Sequence, residues 1–190
     1  CQLTPTRFSE YNKGNWEAKS LVKDKKNNKT FIVKLNFKAI KAKAYRIDVF
    51  SPLGSHEASL LYKNDMFEML DLSNKRLYRA KNGKKLFSRA LSVELEPSSV
   101  FNILFDEPIQ DQGWSCGFKM SEAPTSCENK KQNIKVVWSE RVNDKKTVDI
   151  THPNGEVQIL FTSFSNEVKN PQQVFNLKVP KSFKTYKLRE

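Results

Sequence analysis

Segment after segment of this chain alternates apolar and polar side chains with period two, and that pattern commits most of it to half-buried β-strands. In 30–38, Phe31, Val33, Leu35 and Phe37 share one face, while Lys34, Asn36 and Lys38 take the other. Residues 44–50 continue it, with Tyr45, Ile47 and Val49 opposite Arg46 and Asp48. The turn at 25–29 joins the first of these to a strand near Trp16–Val22 as a hairpin. Further strands are predicted at 58–62, 66–72, 76–80, 113–119, 132–141 (Ile134, Val136 and Trp138 on one face), 146–151, 156–164 and 174–179. Pro153-Asn154-Gly155 is a hairpin turn between two of them. The alternation breaks once. Residues 84–92 and 97–105 carry apolar positions at helical spacing, with Val100, Ile103 and Leu104 on one face and Phe101 and Phe105 beside them. Pro97 opens the second helix and Pro108 lies just past it. About ten antiparallel strands interrupted by two short helices imply a mainly β domain whose sheet curls. A sheet curled around helices has a concave apolar face with a helical plug; a packed sandwich is the alternative.

The size, 190 residues and 22.0 kDa, suits one domain. Residues 1–14 are polar without a clean period and read as a tether, leaving 15–190 as the folded unit. No stretch approaches the length of a transmembrane helix. Two histidines, His56 and His152, make a multi-histidine metal site an unpromising expectation, and no cofactor motif is present. The net charge is +12, from lysines spread between Lys13 and Lys187. A solvated basic surface is the plain reading, with an anionic lipid or acidic partner next; no nucleic-acid-binding signature occurs. Nor does a nucleophile elbow or a phosphate loop. Asp48 and Glu57 flank a loop, and Asp106 and Glu107 follow a helix, as surface carboxylates usually do; His56 beside Glu57 reads as a surface pair.

The cysteines say more. A chain that starts at Cys1 fits signal-peptide cleavage ahead of a lipid-modified cysteine; an arbitrary boundary is the plain alternative. Cys116 and Cys127 then make an even pair, expected as a disulfide in an oxidising compartment, or else two reduced, partly buried thiols.

Between two strands lies Phe50-Ser51-Pro52-Leu53-Gly54-Ser55-His56-Glu57. Pro52 fixes one dihedral and Gly54 admits positive φ, so this is a tight turn with Leu53 at its tip, either tucked under a neighbour or displayed. Several features together resemble the LolB outer-membrane lipoprotein receptors of the LolA/LolB superfamily. They are the strand Tyr45-Arg46-Ile47-Asp48-Val49, the Ser51-Pro52-Leu53-Gly54-Ser55 turn and the strand Glu57–Leu61. Met69-Leu70-Asp71, the helical pair ending in Phe101-Asn102-Ile103-Leu104-Phe105-Asp106-Glu107-Pro108, and the leading Cys1 complete the likeness. After Pro108 the sequence diverges from that pattern, and the tail from Val168 onward looks more like the soluble carrier.

The resemblance implies an open (half) antiparallel β-barrel with a short helical lid. It implies a lipoprotein anchored through Cys1 in the outer membrane, facing the periplasm. Such a protein takes acylated lipoproteins from a LolA-like periplasmic carrier and passes them into the phospholipid, with no cofactor. The membrane-inserting leucine falls on Leu53, between Pro52 and Gly54. Acyl chains would line the apolar hollow, for which the candidates are Phe31, Val33, Leu35, Phe37, Ile47, Val49, Val100, Leu104, Ile134, Val136 and Trp138; ordinary core packing is an equal role for each. A carrier, a general lipid-binding module and a structural envelope lipoprotein remain the alternatives, and a monomer is expected.

Overall fold

Among the described residues, twelve strands form one sheet that stays open. The structure, a computed structural model, describes residues 4–119 and 123–189. The elements run β1 (Lys13–Asp24), β2 (Lys29–Ile40), β3 (Ala44–Phe50), β4 (His56–Lys63), β5 (Met66–Asp71) and β6 (Arg76–Lys81), then α1 (Lys84–Leu91) and α2 (Ser99–Phe105). They continue with β7 (Ser115–Phe118), β8 (Pro124–Asn129), β9 (Ile134–Val142), β10 (Lys145–His152), β11 (Gly155–Ser165), α3 (Pro171–Val174) and β12 (Lys184–Leu188). The spatial order is β12-β6-β5-β4-β3-β2-β1-β11-β10-β9-β8-β7. Neighbours are antiparallel except β12, which runs parallel to β6. The chain therefore builds two meanders, β1–β6 and β7–β11, which meet where β1 pairs with β11.

The alternation sets the register. Trp16 lies opposite Phe37, Phe37 opposite Ile47, and Ile47 opposite Leu60, so large apolar side chains form rows across one face. α1 and α2 lie on that face, and their buried side chains (Leu86, Phe87, Val100, Ile103, Leu104, Phe105) complete the main core. The helices follow directly on β6, because Gly83 at φ +74° turns the chain into α1 and its backbone crowds the Phe67 ring. No side chain larger than hydrogen fits there without displacing that ring.

The outer face carries a smaller apolar cluster. Ala44, Leu61, Leu70 and Leu77 are covered by Val168, Phe175 and Leu177 from the segment that leads to β12. The strand expected at 174–179 is therefore not one: Val174 ends α3, and the following residues cross the sheet as a strap without ladder bonds. Their alternation reflects burial on one side, which a strap across a sheet needs as much as a strand does. The strands β8 and β12 were not expected. β8 is short of apolar residues, and its register follows its neighbours, with Cys116 opposite Cys127 and Cys127 opposite Val136. The packed body also starts before residue 15. Phe8 is fully buried against Trp16 and Phe164, and the Thr6 N–H donates to the Asn143 carbonyl.

Candidate functional site

The concave face and its two helices form the largest apolar assembly, and the contacts between them decide whether anything else can enter. Leu35, Phe37, Ile47, Val100, Leu104, Ile134, Val136 and Trp138 are all buried there. The hollow is thus occupied by the chain's own side chains rather than standing vacant. Phe101 of α2 meets Tyr45 edge-on at 5.2 Å between centroids, and Phe105, one turn later, meets Trp16 edge-on at 5.2 Å. The Tyr45 hydroxyl and the Trp16 indole nitrogen beneath them are buried without hydrogen-bond partners.

Coverage is incomplete at one margin. Val33, Val49, Met69 and Tyr78 face inward yet are only half-buried, and Phe31 is 41% exposed. The candidates therefore separate into two groups: eight beneath the lid or part of it, and three (Phe31, Val33, Val49) along an open margin.

The C-terminal end of α2 is clasped by charges. Asp106 takes a left-handed conformation (φ 52°) and closes the helix, its N–H donating to the Asn102 carbonyl. Its carboxylate accepts from Lys146 Nζ at 2.6 Å and from Arg141 Nε at 3.0 Å. Lys146 also donates to the carbonyls of Ile103 (2.8 Å) and Leu104 (2.7 Å), satisfying acceptors that a helix end leaves open. It lies over the Phe8 and Phe161 rings and is fully buried. Burial pushes its ammonium down to about 8, against the pull of Asp106 upward. Trp138 Nε1 donates to the Ile103 carbonyl at 3.4 Å, and Lys41 pairs with Glu107 at 2.8 Å. At the other end of the lid, Lys84 pairs with Glu96 at 2.9 Å.

This clasp corrects the reading of Asp106 as solvated. A carboxylate after a helix looks like surface charge in one dimension, but the β10 register brings Lys146 beneath it. A signal existed: Lys146, Val148 and Ile150 share one strand face, so a lysine sits where the pattern requires an apolar side chain.

The turn at 51–55 lies at the open margin. The Gly54 N–H donates to the Ser51 carbonyl at 2.9 Å, and the Ser55 N–H to Ser51 Oγ at 3.1 Å. Gly54 has φ +95°. Leu53 is 97% exposed, displayed rather than tucked, with Pro52 and Gly54 exposed beside it. Cys1 lies outside the described residues. Cys116 and Cys127 form a disulfide across β7 and β8, remote in the chain from the Leu53 turn.

On the outer face Asp48 is buried rather than solvated: it accepts from Arg46 Nε at 2.8 Å and Ser59 Oγ at 2.6 Å. His56 does not pair with Glu57; it stacks on Phe50 and places Nε2 3.0 Å from Ser59 Oγ. These three residue types suggest a nucleophilic relay, but the geometry does not build one. The same nitrogen, Nε2, faces both Ser59 and Asp48 (3.5 Å), whereas a relay needs the carboxylate on Nδ1. An open cavity of about 700 Å³ lies at the opposite end of the sheet from Leu53, between Lys43, Asp65, Ser98, Phe101 and Phe175.

No protein-family model matches the chain, and no curated protein matches it in sequence. Solved structures do match in fold. A LolA superfamily protein from Nitrosomonas europaea has a TM-score of 0.54 at 9% identity, covering 87% of this chain and 90% of that one. An outer membrane lipoprotein-sorting protein domain from Vibrio parahaemolyticus gives 0.56 at 9% identity, over 87% and 89%. A DUF1329 family protein from Desulfovibrio piger gives 0.58 at 10% identity, over 89% and 91%. At these identities the likeness is one of fold alone, an open β-sheet with short helices.

Proposed function

We propose that this protein binds the acyl chains of lipoproteins between its concave sheet and the α1–α2 lid, receives them from a LolA-like periplasmic carrier and inserts them into the outer membrane. In this reading it is itself held at the periplasmic face of that membrane through a lipid on Cys1. One observation carries the insertion step: Leu53 is almost wholly exposed on a turn fastened by Ser51, beside the margin where Phe31, Val33 and Val49 are uncovered. An acyl chain leaving by that margin emerges next to the leucine. Burial of one leucine yields roughly 1.5–3 kcal/mol, enough for a transient wedge and too little for an anchor. Anchoring needs more than one acyl chain, which is the task assigned to Cys1.

A second reading is the periplasmic carrier. The sequence of the tail from Val168 onward, which resembles the carrier, favours it. Transfer of a labelled lipoprotein from purified carrier to this protein, and then to liposomes, separates the two. The receptor reading expects Leu53→Glu to accept cargo normally and release it slowly. Unchanged release would remove Leu53 from the mechanism, and cargo return to a downstream acceptor without membrane delivery would favour the carrier.

A further inference from the structure

β2 is longer than its neighbour on one side. The last pair between β2 and β3 is Lys34 with Phe50, so Lys29–Val33 run on past the end of β3. Five residues at about 3.4 Å each carry the strand roughly 17 Å beyond that point. On its other side the same stretch stays paired with β1, from Ser20–Val33 to Asp24–Lys29. The result is a corner of the sheet, the β1–β2 tip, uncovered on its β3 side and standing beside the Leu53 turn, since the β3–β4 connection leaves the sheet at the same end; on the far side β1 stays paired with β11 as far as Asp24–Gly155.

The tip is apolar on both faces. Phe31 points to the concave side and Ile32 to the outer side, and they are 41% and 55% exposed. A strand that packs one face normally shows polar residues on the other. The tip is also strongly basic. Residues 19–38 hold seven lysines against one acid, Asp24. Lys23 and Lys25 are both engaged by Glu156, and the Asp24 carboxylate accepts from the Asn27 backbone and side chain. Lys26, Lys29 and Lys34 have no ion pair among the described residues.

We infer that this corner, the uncovered end of β2 with the β1–β2 turn, is a docking foot for a bilayer containing anionic phospholipid, with Phe31 and Ile32 entering the interface and Lys26, Lys29 and Lys34 meeting the headgroup phosphates. The charge selects the occupant: a row of unpaired lysines around an apolar wedge complements an anionic surface and repels a second copy of this +12 chain. The foot and the Leu53 turn face the same way, so docking through the tip would present Leu53 and the open margin to the bilayer. The inference rests on the membrane-delivery reading for its purpose, but its measurement does not depend on cargo.

The test is partitioning of the full chain onto phosphatidylcholine vesicles with and without phosphatidylglycerol, at low and high salt. Binding is expected only to vesicles with phosphatidylglycerol and should weaken with salt. Lys26→Gln with Lys29→Gln should weaken it about 25-fold, from about fivefold per lysine near a charged surface. Lys26→Arg with Lys29→Arg should restore it. Phe31→Ser with Ile32→Ser should weaken binding while leaving its salt dependence intact. Equal binding to neutral vesicles, or wild-type partitioning by the glutamine variant, would overturn the foot. A fluorescent fatty acid titrated into the same samples reads the lid site separately: if it fails to bind, the acyl reading falls while the vesicle result stands or falls on its own.

Discussion

Replacing Lys146 by methionine tests the clasp that holds the lid. The ammonium donates to Ile103, Leu104 and Asp106 with no access to water. Its removal leaves the Asp106 carboxylate buried with Arg141 alone and the Leu104 carbonyl without that donor, while Trp138 still reaches Ile103. Breaking one side of a buried pair typically costs about 3–5 kcal/mol, and relief of the lysine's own desolvation trims it, so a loss near 3 kcal/mol is expected at neutral pH. Adding Asp106→Asn to Lys146→Met should not recover the loss, because Arg141 then gives up its carboxylate partner. The pH dependence gives a sharper signature. An unfolded lysine titrates near about 10.4, whereas Lys146 is pushed down to about 8, chiefly by burial. Between those values the unfolded chain binds more protons, so stability rises with pH across the window and is lost again as pH falls through about 8. The full rise is about 3 kcal/mol. Tyr62, raised to about 12 chiefly by burial and then by its bond to Asp65, works the other way above about pH 10, so the comparison belongs below that. Urea unfolding of wild type and variant across that range, taken as a difference, isolates the lysine. A wild type whose margin over the variant stays flat or shrinks from about pH 8 to 10 would refute the assignment.

Three further outcomes follow from the packing. Gly83→Ala should lose at least about 2 kcal/mol in thermal or urea unfolding, since alanine at φ +74° is strained and its methyl collides with Phe67. Reducing the Cys116–Cys127 bond, which spans 11 residues, should lower stability by about 3 kcal/mol, with amide exchange rising first in β7 and β8 at the sheet edge. Phe175→Ala should cost about 3–5 kcal/mol and release the strap, read as faster proteolysis within 166–183, while fatty-acid binding on the other face stays unchanged.

The strands that were legible in the sequence are those with two-sided contrast. In β2, β9 and β11 one face packs under the lid and the other is the more exposed, so alternation and burial coincide. β8 escaped because Pro124-Thr125-Ser126-Cys127 has little apolar contrast; its place comes from its partners. The strap resembles a strand for the opposite reason: Phe175 and Leu177 alternate as a strand would, and only the third dimension shows the apolar sheet face beneath them. Leu53 was legible as a turn, but its display was not, because exposure depends on the absence of a neighbour that could come from anywhere in the chain. Lys146 and Asp106 stand 40 residues apart. Their pairing needs the β9–β10 hairpin to fold back under α2, and no local pattern carries that.

A core that also serves as a cargo bed has to remain closed when empty, and the proposed function depends on that exchange. A permanently vacant trough would expose a contiguous apolar surface and invite aggregation. Here Val100, Phe101, Ile103, Leu104 and Phe105 fill it. Their burial is worth about 1.5–3 kcal/mol each, so uncovering the bed forfeits about 8–15 kcal/mol at most. An acyl chain of about sixteen carbons recovers about 12 kcal/mol at about 0.8 kcal/mol per methylene. The two quantities nearly cancel, which is what a carrier without a nucleotide motor requires: cargo enters and leaves on small differences, each 1.4 kcal/mol shifting the balance about tenfold. Under the proposed function, with the apolar terms so nearly matched, the polar clasp at Asp106 would decide which way the lid rests. That is why a lysine, rather than the leucine its strand position would otherwise hold, makes sense at residue 146.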